Sequence, residues 1–430
     1  MKCNSIISTL VILLVAGLIV DATEQDRSVK VSGNREVLEW PQWRGPNRDG
    51  VVILEDLGPQ SWPEQLTLEW KVDVGVGYAS PVISGGLVYM HTRKEGSEVI
   101  TALEAETGKV VWQDTYAAPY DVNPEAERHG PGPKSTPVVH DGKIFTLGLS
   151  GILSALDATN GSVLWRKNAP TVGPLYGTAM SPIVDGKSVI AHVGGHDGGA
   201  LTAFDVDSGI EQWVWEGDGP GYSSPVIGTF LGSRQVVTYT QSYLVGIDIG
   251  NGALLWRIPF ETPYIQNSIT PIVDGGMIYS SGLELGMAAL RVIKTDNQWA
   301  VEPVWENPDV SFYMSSPVFT GDLLFGLSAR RRGQWVCLDA KTGKTLWMSE
   351  GREAENAALV WSGDVLFLLR DDGELIVAKP SRIGFEPLQN YRVAESETWA
   401  HPAILGGNIS QSWIRIFVKD LSSIALWGVR

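Results

Sequence analysis

Cysteine is nearly absent from this chain: its 430 residues carry two, Cys3 and Cys337. Cys3 falls in an N-terminal leader, so Cys337 has no partner for an intrachain disulfide and is expected to be a buried structural thiol. There is no Cys-x-x-Cys-His run, hence no covalent haem site and no built-in electron acceptor. Basic residues are scarce too. Lys and Arg number 33 against 49 Asp and Glu, a formal charge of −16. A chain this acidic is repelled by phosphate backbones, which excludes nucleic acid as a partner. Histidines number six, and they cluster once, in His192-Val193-Gly194-Gly195-His196-Asp197. On a strand-turn path those two imidazoles need not converge, so no metal site is assigned. A nucleophile elbow, a phosphate-cradling glycine loop and paired carboxylates at catalytic spacing are all missing, and no catalytic residue is assigned.

Long apolar runs are equally rare. The main one, Leu10 to Val20, follows Lys2 and ends at the small-residue site Val20-Asp21-Ala22. Residues 1–22 therefore read as a Sec-type signal peptide, too short in its core to span a membrane comfortably. Cys3 precedes the apolar core and cannot be a lipobox cysteine. A periplasmic or secreted protein with no transmembrane segment after cleavage is expected. Residues 23–39 are polar and aperiodic, which suits a flexible leader.

Abundance lies elsewhere: 17 Trp, 48 Gly and 24 Pro. The tryptophans repeat in register. Each closes a pattern with Gly four residues earlier, an acid eight earlier and a small residue ten earlier. It occurs as Ala102-Glu104-Gly108-Trp112, Ala155-Asp157-Gly161-Trp165, Ala203-Asp205-Gly209-Trp213, Gly246-Asp248-Gly252-Trp256 and Cys337-Asp339-Gly343-Trp347. The acid suits a turn, and the glycine supplies the positive φ of a bulged hairpin. A second marker, a hydroxyl residue followed by proline, precedes each unit at Ser80-Pro81, Thr136-Pro137, Ser181-Pro182, Ser224-Pro225, Thr270-Pro271 and Ser316-Pro317. His401-Pro402 is a degenerate copy, and the run 359–367 aligns with 317–325 without the proline. Eight units follow, at intervals of 42 to 56 residues. That period, with about four short strands per unit, predicts an all-β, eight-bladed β-propeller of four-stranded blades.

The strand-like run 66–72 ends in Trp70, yet nothing upstream completes a blade. The last unit, in turn, stops after its third strand. The N-terminal strand is therefore expected to complete the last blade and close the ring, making 40–430 a single domain. Residues 40–51, Trp-Pro-Gln-Trp-Arg-Gly-Pro-Asn-Arg-Asp-Gly-Val, read as a segment pinned on the propeller by its aromatics. That leaves Arg44 and Arg48 free to pair with carboxylates. The segment serves packing and closure or, alternatively, forms a ligand-facing plug.

The Ala-x-Asp-x-x-x-Gly-x-x-x-Trp repeat with its Ser-Pro-Val marker resembles the pyrroloquinoline-quinone-like (PQQ-like, quinoprotein-type) β-propeller superfamily. The opening 40–51 resembles exported planctomycete-type members. The superfamily holds quinoprotein alcohol dehydrogenases and also non-catalytic propellers such as the outer-membrane assembly lipoprotein. The resemblance implies either a non-catalytic binding or assembly scaffold in the cell envelope, or a PQQ- and Ca²⁺-dependent alcohol or sugar dehydrogenase. Dehydrogenases of this kind typically carry a vicinal disulfide over the quinone, and this chain has no adjacent cysteines.

Positions three residues before the marker proline should face the central funnel: Tyr78, Lys134, Ala179, Tyr222, Ser268, Met314, Asn356 and Trp399. Tyr78, Tyr222 and Trp399 can stack on a small flat ligand, and Lys134 or Asn356 can hydrogen-bond it. Alternatively, these side chains fill the funnel themselves. The longest interval holds an insert at 121–133, placed to cap the funnel or meet an envelope protein. Arg330-Arg331-Arg332 reads as a solvated turn. A monomer is expected.

Overall fold

The computed structural model describes residues 39–52, 54, 61–409 and 412–430. The expected signal peptide and the leader up to residue 38 lie outside the described residues. Among those described, 32 strands form eight four-stranded antiparallel sheets, each a propeller blade. Seven blades are single stretches of chain. The second, for example, is Val138–His140, Lys143–Leu147, Leu153–Asp157 and Val163–Arg166. The eighth is composite. Ala403–Ile409, Ser412–Lys419 and Ser423–Val429 are completed by Thr67–Asp73, with Lys71 opposite Ala425 and Val72 opposite Ile424. The N-terminal strand thus completes the last blade and closes the ring between the two ends of the propeller.

The repeat residues explain themselves at the blade interfaces. The Trp of one blade lies on the turn glycine of the next. A Cβ on Gly161 (φ +76°) would come within 2.4 Å of the Trp112 ring, and one on Gly343 (φ +68°) within 2.3 Å of Trp305. The glycine is needed twice, for its left-handed backbone and for the absence of a side chain. The indole N–H then reaches across the interface: Trp112 donates to Ala158 O at 3.0 Å and Trp305 to Ala340 O at 2.8 Å. Trp256 departs from this pattern, donating to Gln235 Oε1 (2.7 Å) within its own blade. The blade it faces has a longer hairpin, Gly286–Thr295 and Gln298–Asn307, turning at Asp296 and Asn297 rather than at a motif glycine.

The marker hydroxyls of Thr136, Ser181, Ser224 and Ser316 form a second interblade fastener, while that of Thr270 takes the Trp43 indole N–H. Ser80 N–H donates to Thr136 Oγ1 (3.0 Å), Thr136 N–H to Ser181 Oγ (2.9 Å), Ser181 N–H to Ser224 Oγ (2.9 Å) and Thr270 N–H to Ser316 Oγ (2.9 Å). Proline after it cannot donate, so the preceding N–H is the one available for this bond. Cys337 is fully buried, and burial pushes its thiol up to about 12, which leaves it inert.

Candidate functional site

Residues 40–51 run through the axis and bond to the blades in turn. Trp40 pairs with Ile83 of the first blade, and Pro41 O accepts from Val139 N–H of the second. Arg48 donates to Ser181 O, Pro182 O and Pro225 O, which belong to the third and fourth. Trp43 donates to Thr270 Oγ1, Arg44 to Pro317 O, and Trp361 N–H to Gly50 O. Finally, Trp43 meets His401 of the eighth blade edge-on at 5.0 Å. Both are buried, and backbone carbonyls of the marker prolines take N–H groups from each; for Arg48 this corrects the expectation of a carboxylate partner, while Arg44 stays in the field of the Asp49 carboxylate. These carbonyls converge on the axis with no N–H of their own, a ring of acceptors that a planar guanidinium satisfies. Burial draws Arg44 down to about 10; burial and then the charge of Arg44 draw Arg48 down to about 9.

This plug forms the floor of a cavity of about 590 Å³, with Trp43 in its lining. Its size is that of a small-molecule pocket. Of the expected funnel residues, Tyr78, Lys134, Tyr222 and Trp399 line it, as do Ala179, Ser268 and Met314. Asn356 is placed elsewhere, buried behind the wall with its Oδ1 accepting from Ser315 Oγ at 2.8 Å. Its blade lacks both the marker proline and the marker hydroxyl, and Ser315 of the preceding blade bonds across instead, donating to Asn356 and accepting from Ala357 N–H at 2.9 Å. Tyr176, Tyr264, Gln266 and Tyr313 also line the cavity, from the loops that join blades. Those positions fall outside the repeat register, so the repeat could not point to them.

The insert supplies the remaining wall. Pro124–His129 forms a 3₁₀ turn whose first amides are capped by Asn123, with Oδ1 accepting from Glu125 N–H at 2.9 Å. Arg128 reaches across to Glu355 (2.5 Å) and Glu397 (3.1 Å) in the approaches to the seventh and eighth blades. His129 stands edge-on to Trp399 at 4.6 Å, and Glu125, Ala126 and His129 face the cavity. Burial, then the charge of Lys134, lowers the His129 imidazole below its ordinary value, so it is neutral at physiological pH.

Most of the charged groups in this lining are engaged. Lys134 Nζ donates to Tyr176 O at 2.9 Å, and burial draws it down to about 8. The Tyr78 hydroxyl lies 3.4 Å from Glu397 Oε2, and burial followed by that charge raises it to about 12. Tyr222 is raised as well, chiefly by burial. Its hydroxyl accepts from Tyr176 N–H (3.1 Å) and lies 3.1 Å from His196 Nε2. His196 Nδ1 lies 2.8 Å from Pro220 O, and His192 Nε2 lies 3.1 Å from Asp218 O. Both imidazoles thus serve the wall, and no group of three His, Cys, Asp or Glu among the described residues is placed to hold a metal.

The cofactors implied by the resemblance fit this lining poorly. Ca²⁺ takes about six to eight oxygen ligands, carboxylates among them. The cavity offers one carboxylate, Glu125. The quinone carries several carboxylates, whereas the single ammonium, Lys134, is spent on a backbone carbonyl.

A family model described as "Outer membrane protein assembly factor BamB" (PQQ_2) matches residues 61–122 and 96–349, more than half of the chain. The chain belongs to this PQQ_2 family. BamB of Yersinia pestis is 27% identical over 271 residues, covering 56% of this chain and 60% of that protein. BamB of Shewanella oneidensis is 22% identical over 75% of this chain and 70% of its own. The quinohemoprotein alcohol dehydrogenase ADH-IIG of Pseudomonas putida is 30% identical over 167 residues, 35% of this chain and 21% of that enzyme. The chain therefore spans less than two-thirds of the Yersinia and Pseudomonas proteins. The crystal structure of BamB from Moraxella catarrhalis superposes with a TM-score of 0.59 at 16% identity, covering 85% of this chain and 98% of that one. That of the Comamonas testosteroni quinohemoprotein alcohol dehydrogenase gives 0.64 at 14%, covering 91% and 80%. At such identities these likenesses to PQQ_2-type propellers concern the fold alone. Among the described residues, no helix is long and apolar enough to cross a membrane.

Proposed function

We propose that this chain is an exported, non-catalytic binding or assembly scaffold of the cell envelope, periplasmic or secreted and monomeric. Tyr78, Lys134, Tyr222 and Trp399 are its recognition surface, for an envelope protein or a small flat ligand; Asn356 supports that wall from behind. One observation carries the reading. The funnel is closed below by a plug bonded around the ring, and the cavity above it has one carboxylate and one engaged ammonium among aromatic and neutral polar groups. Such a lining can hold a ligand by packing and hydrogen bonds. The matches to proteins named outer membrane protein assembly factor support the same reading.

A second reading, a PQQ- and Ca²⁺-dependent alcohol or sugar dehydrogenase, is favoured by the 30% identity to a quinohemoprotein alcohol dehydrogenase. Titration of the purified mature chain with pyrroloquinoline quinone, with and without Ca²⁺, separates the two. The scaffold reading expects no saturable binding and no change in melting temperature. Tight, Ca²⁺-dependent binding with a raised melting temperature would replace it with the dehydrogenase.

A further inference from the structure

The cavity lining divides into groups whose polar atoms are engaged and groups whose polar atoms are free. Trp43 gives its indole N–H to Thr270 Oγ1 at 2.8 Å, so what it offers the cavity is ring carbon. Against that platform, the hydroxyls of Tyr176, Tyr264 and Tyr313 and the side-chain amide of Gln266 have no hydrogen-bond partner among the described residues. Burial, then the nearby Tyr176, raises Tyr313 to about 12, so its phenol keeps its proton and can donate. Tyr264 is 73% exposed, and it and Ile265 both hold a φ of +58°. Two consecutive non-glycine residues in the left-handed region are strained, and such strain concentrates where a side chain must be presented to a ligand.

An apolar platform ringed by neutral donors and acceptors is complementary to a molecule that is apolar on its faces and hydroxylated at its rim. A bare aromatic ligand would bury these phenols and the amide unpaired, at a loss of affinity. A polycarboxylate would find one ammonium, already engaged. We infer that the cavity binds a neutral saccharide of one or two rings, its C–H face against Trp43 and its hydroxyls bonded to Tyr176, Tyr264, Tyr313 and Gln266. This rests on the proposed reading of the cavity as a recognition site, and it names the ligand class.

The test is calorimetric titration of the mature chain with maltose and with N-acetylglucosamine, with intrinsic tryptophan fluorescence as a second readout. Saturable binding of at least one sugar with a change in fluorescence is expected. Tyr313→Phe keeps the ring and removes the hydroxyl, and should weaken binding about tenfold. Tyr264→Ala should weaken it comparably with an unchanged melting temperature, since the residue is exposed. The inference is overturned if neither sugar binds at tens of millimolar, or if both variants bind as tightly as the parent chain. Either result leaves the scaffold reading intact, because that reading fails only on Ca²⁺-dependent quinone binding in the separate titration.

Discussion

The backbone N–H of His401 donates to Ser80 Oγ at 2.9 Å, joining two residues 321 positions apart in sequence. The eighth blade thereby makes to the first the bond that the first makes to the second. Ser80→Ala leaves that buried N–H unpaired at the seam of the ring, where only non-local contacts hold the ends. An unpaired buried donor costs about 1–3 kcal/mol. Urea unfolding of Ser80→Ala should show a loss in that range with an unchanged m-value. A midpoint equal to the parent's would mean that the seam does not depend on this bond.

Legibility in the sequence followed the repeat. The Gly-to-Trp spacing and the hydroxyl-proline marker were visible because each recurs, and what recurs is what one blade needs from its neighbour. Even the blade without the proline was aligned in the right register: Val360 pairs with Phe367 as Val318 pairs with Phe325. Trp305 breaks the repeat because its hairpin is six residues longer and turns at Asp296 and Asn297, without the motif glycine. The partners of Arg44 and Arg48 were hidden for another reason. Charge chemistry suggested carboxylates, but the acceptors are backbone carbonyls, which every sequence has and none advertises. Tyr176, Tyr264 and Tyr313 occur once each, in loops of unequal length, so only the folded chain brings them together.

Two glycines separate backbone strain from steric conflict. Gly142 (φ +71°) has nothing within 4 Å of a would-be Cβ, while Gly343 (φ +68°) has the Trp305 ring at 2.3 Å. Gly142→Ala should lose about 1 kcal/mol for the left-handed conformation alone. Gly343→Ala should lose that and roughly 2 kcal/mol more, since indole and turn must part. Equal losses in the two variants would show that Trp305 moves aside freely.

Lys134 sets a pH dependence whose sign is fixed by its burial. Its folded value of about 8 lies below the ordinary 10.5. Below pH 8 both folded and unfolded chains hold the proton, and the penalty of burying the ammonium is fully present. Between about 8 and 10.5 the unfolded chain holds more protons, so this group makes stability rise with pH. Lys419, also drawn down to about 8 by burial, acts in the same direction. Lys134→Met should therefore flatten, without abolishing, the upward slope of stability over this window. An unaltered slope in the variant would show that Lys134 titrates near its ordinary value.

Arg128 holds the insert over the cavity through bonds that are largely exposed, with its side chain 52% accessible and those of Glu355 and Glu397 62% and 38%. Exposed ion pairs contribute about 0–1 kcal/mol to stability, and salt screens them. The latch is thus weak as a stabiliser while still deciding how often the insert, with His129, covers Trp399. Arg128→Ala should leave the melting temperature nearly unchanged and increase acrylamide quenching of a chain whose other tryptophans, such as Trp40 and Trp335, stay buried. Molar NaCl should raise quenching of the parent toward the level of the variant and leave the variant unaffected. If salt raises quenching equally in both, the insert is held by the packing of His129 against Trp399 rather than by its arginine.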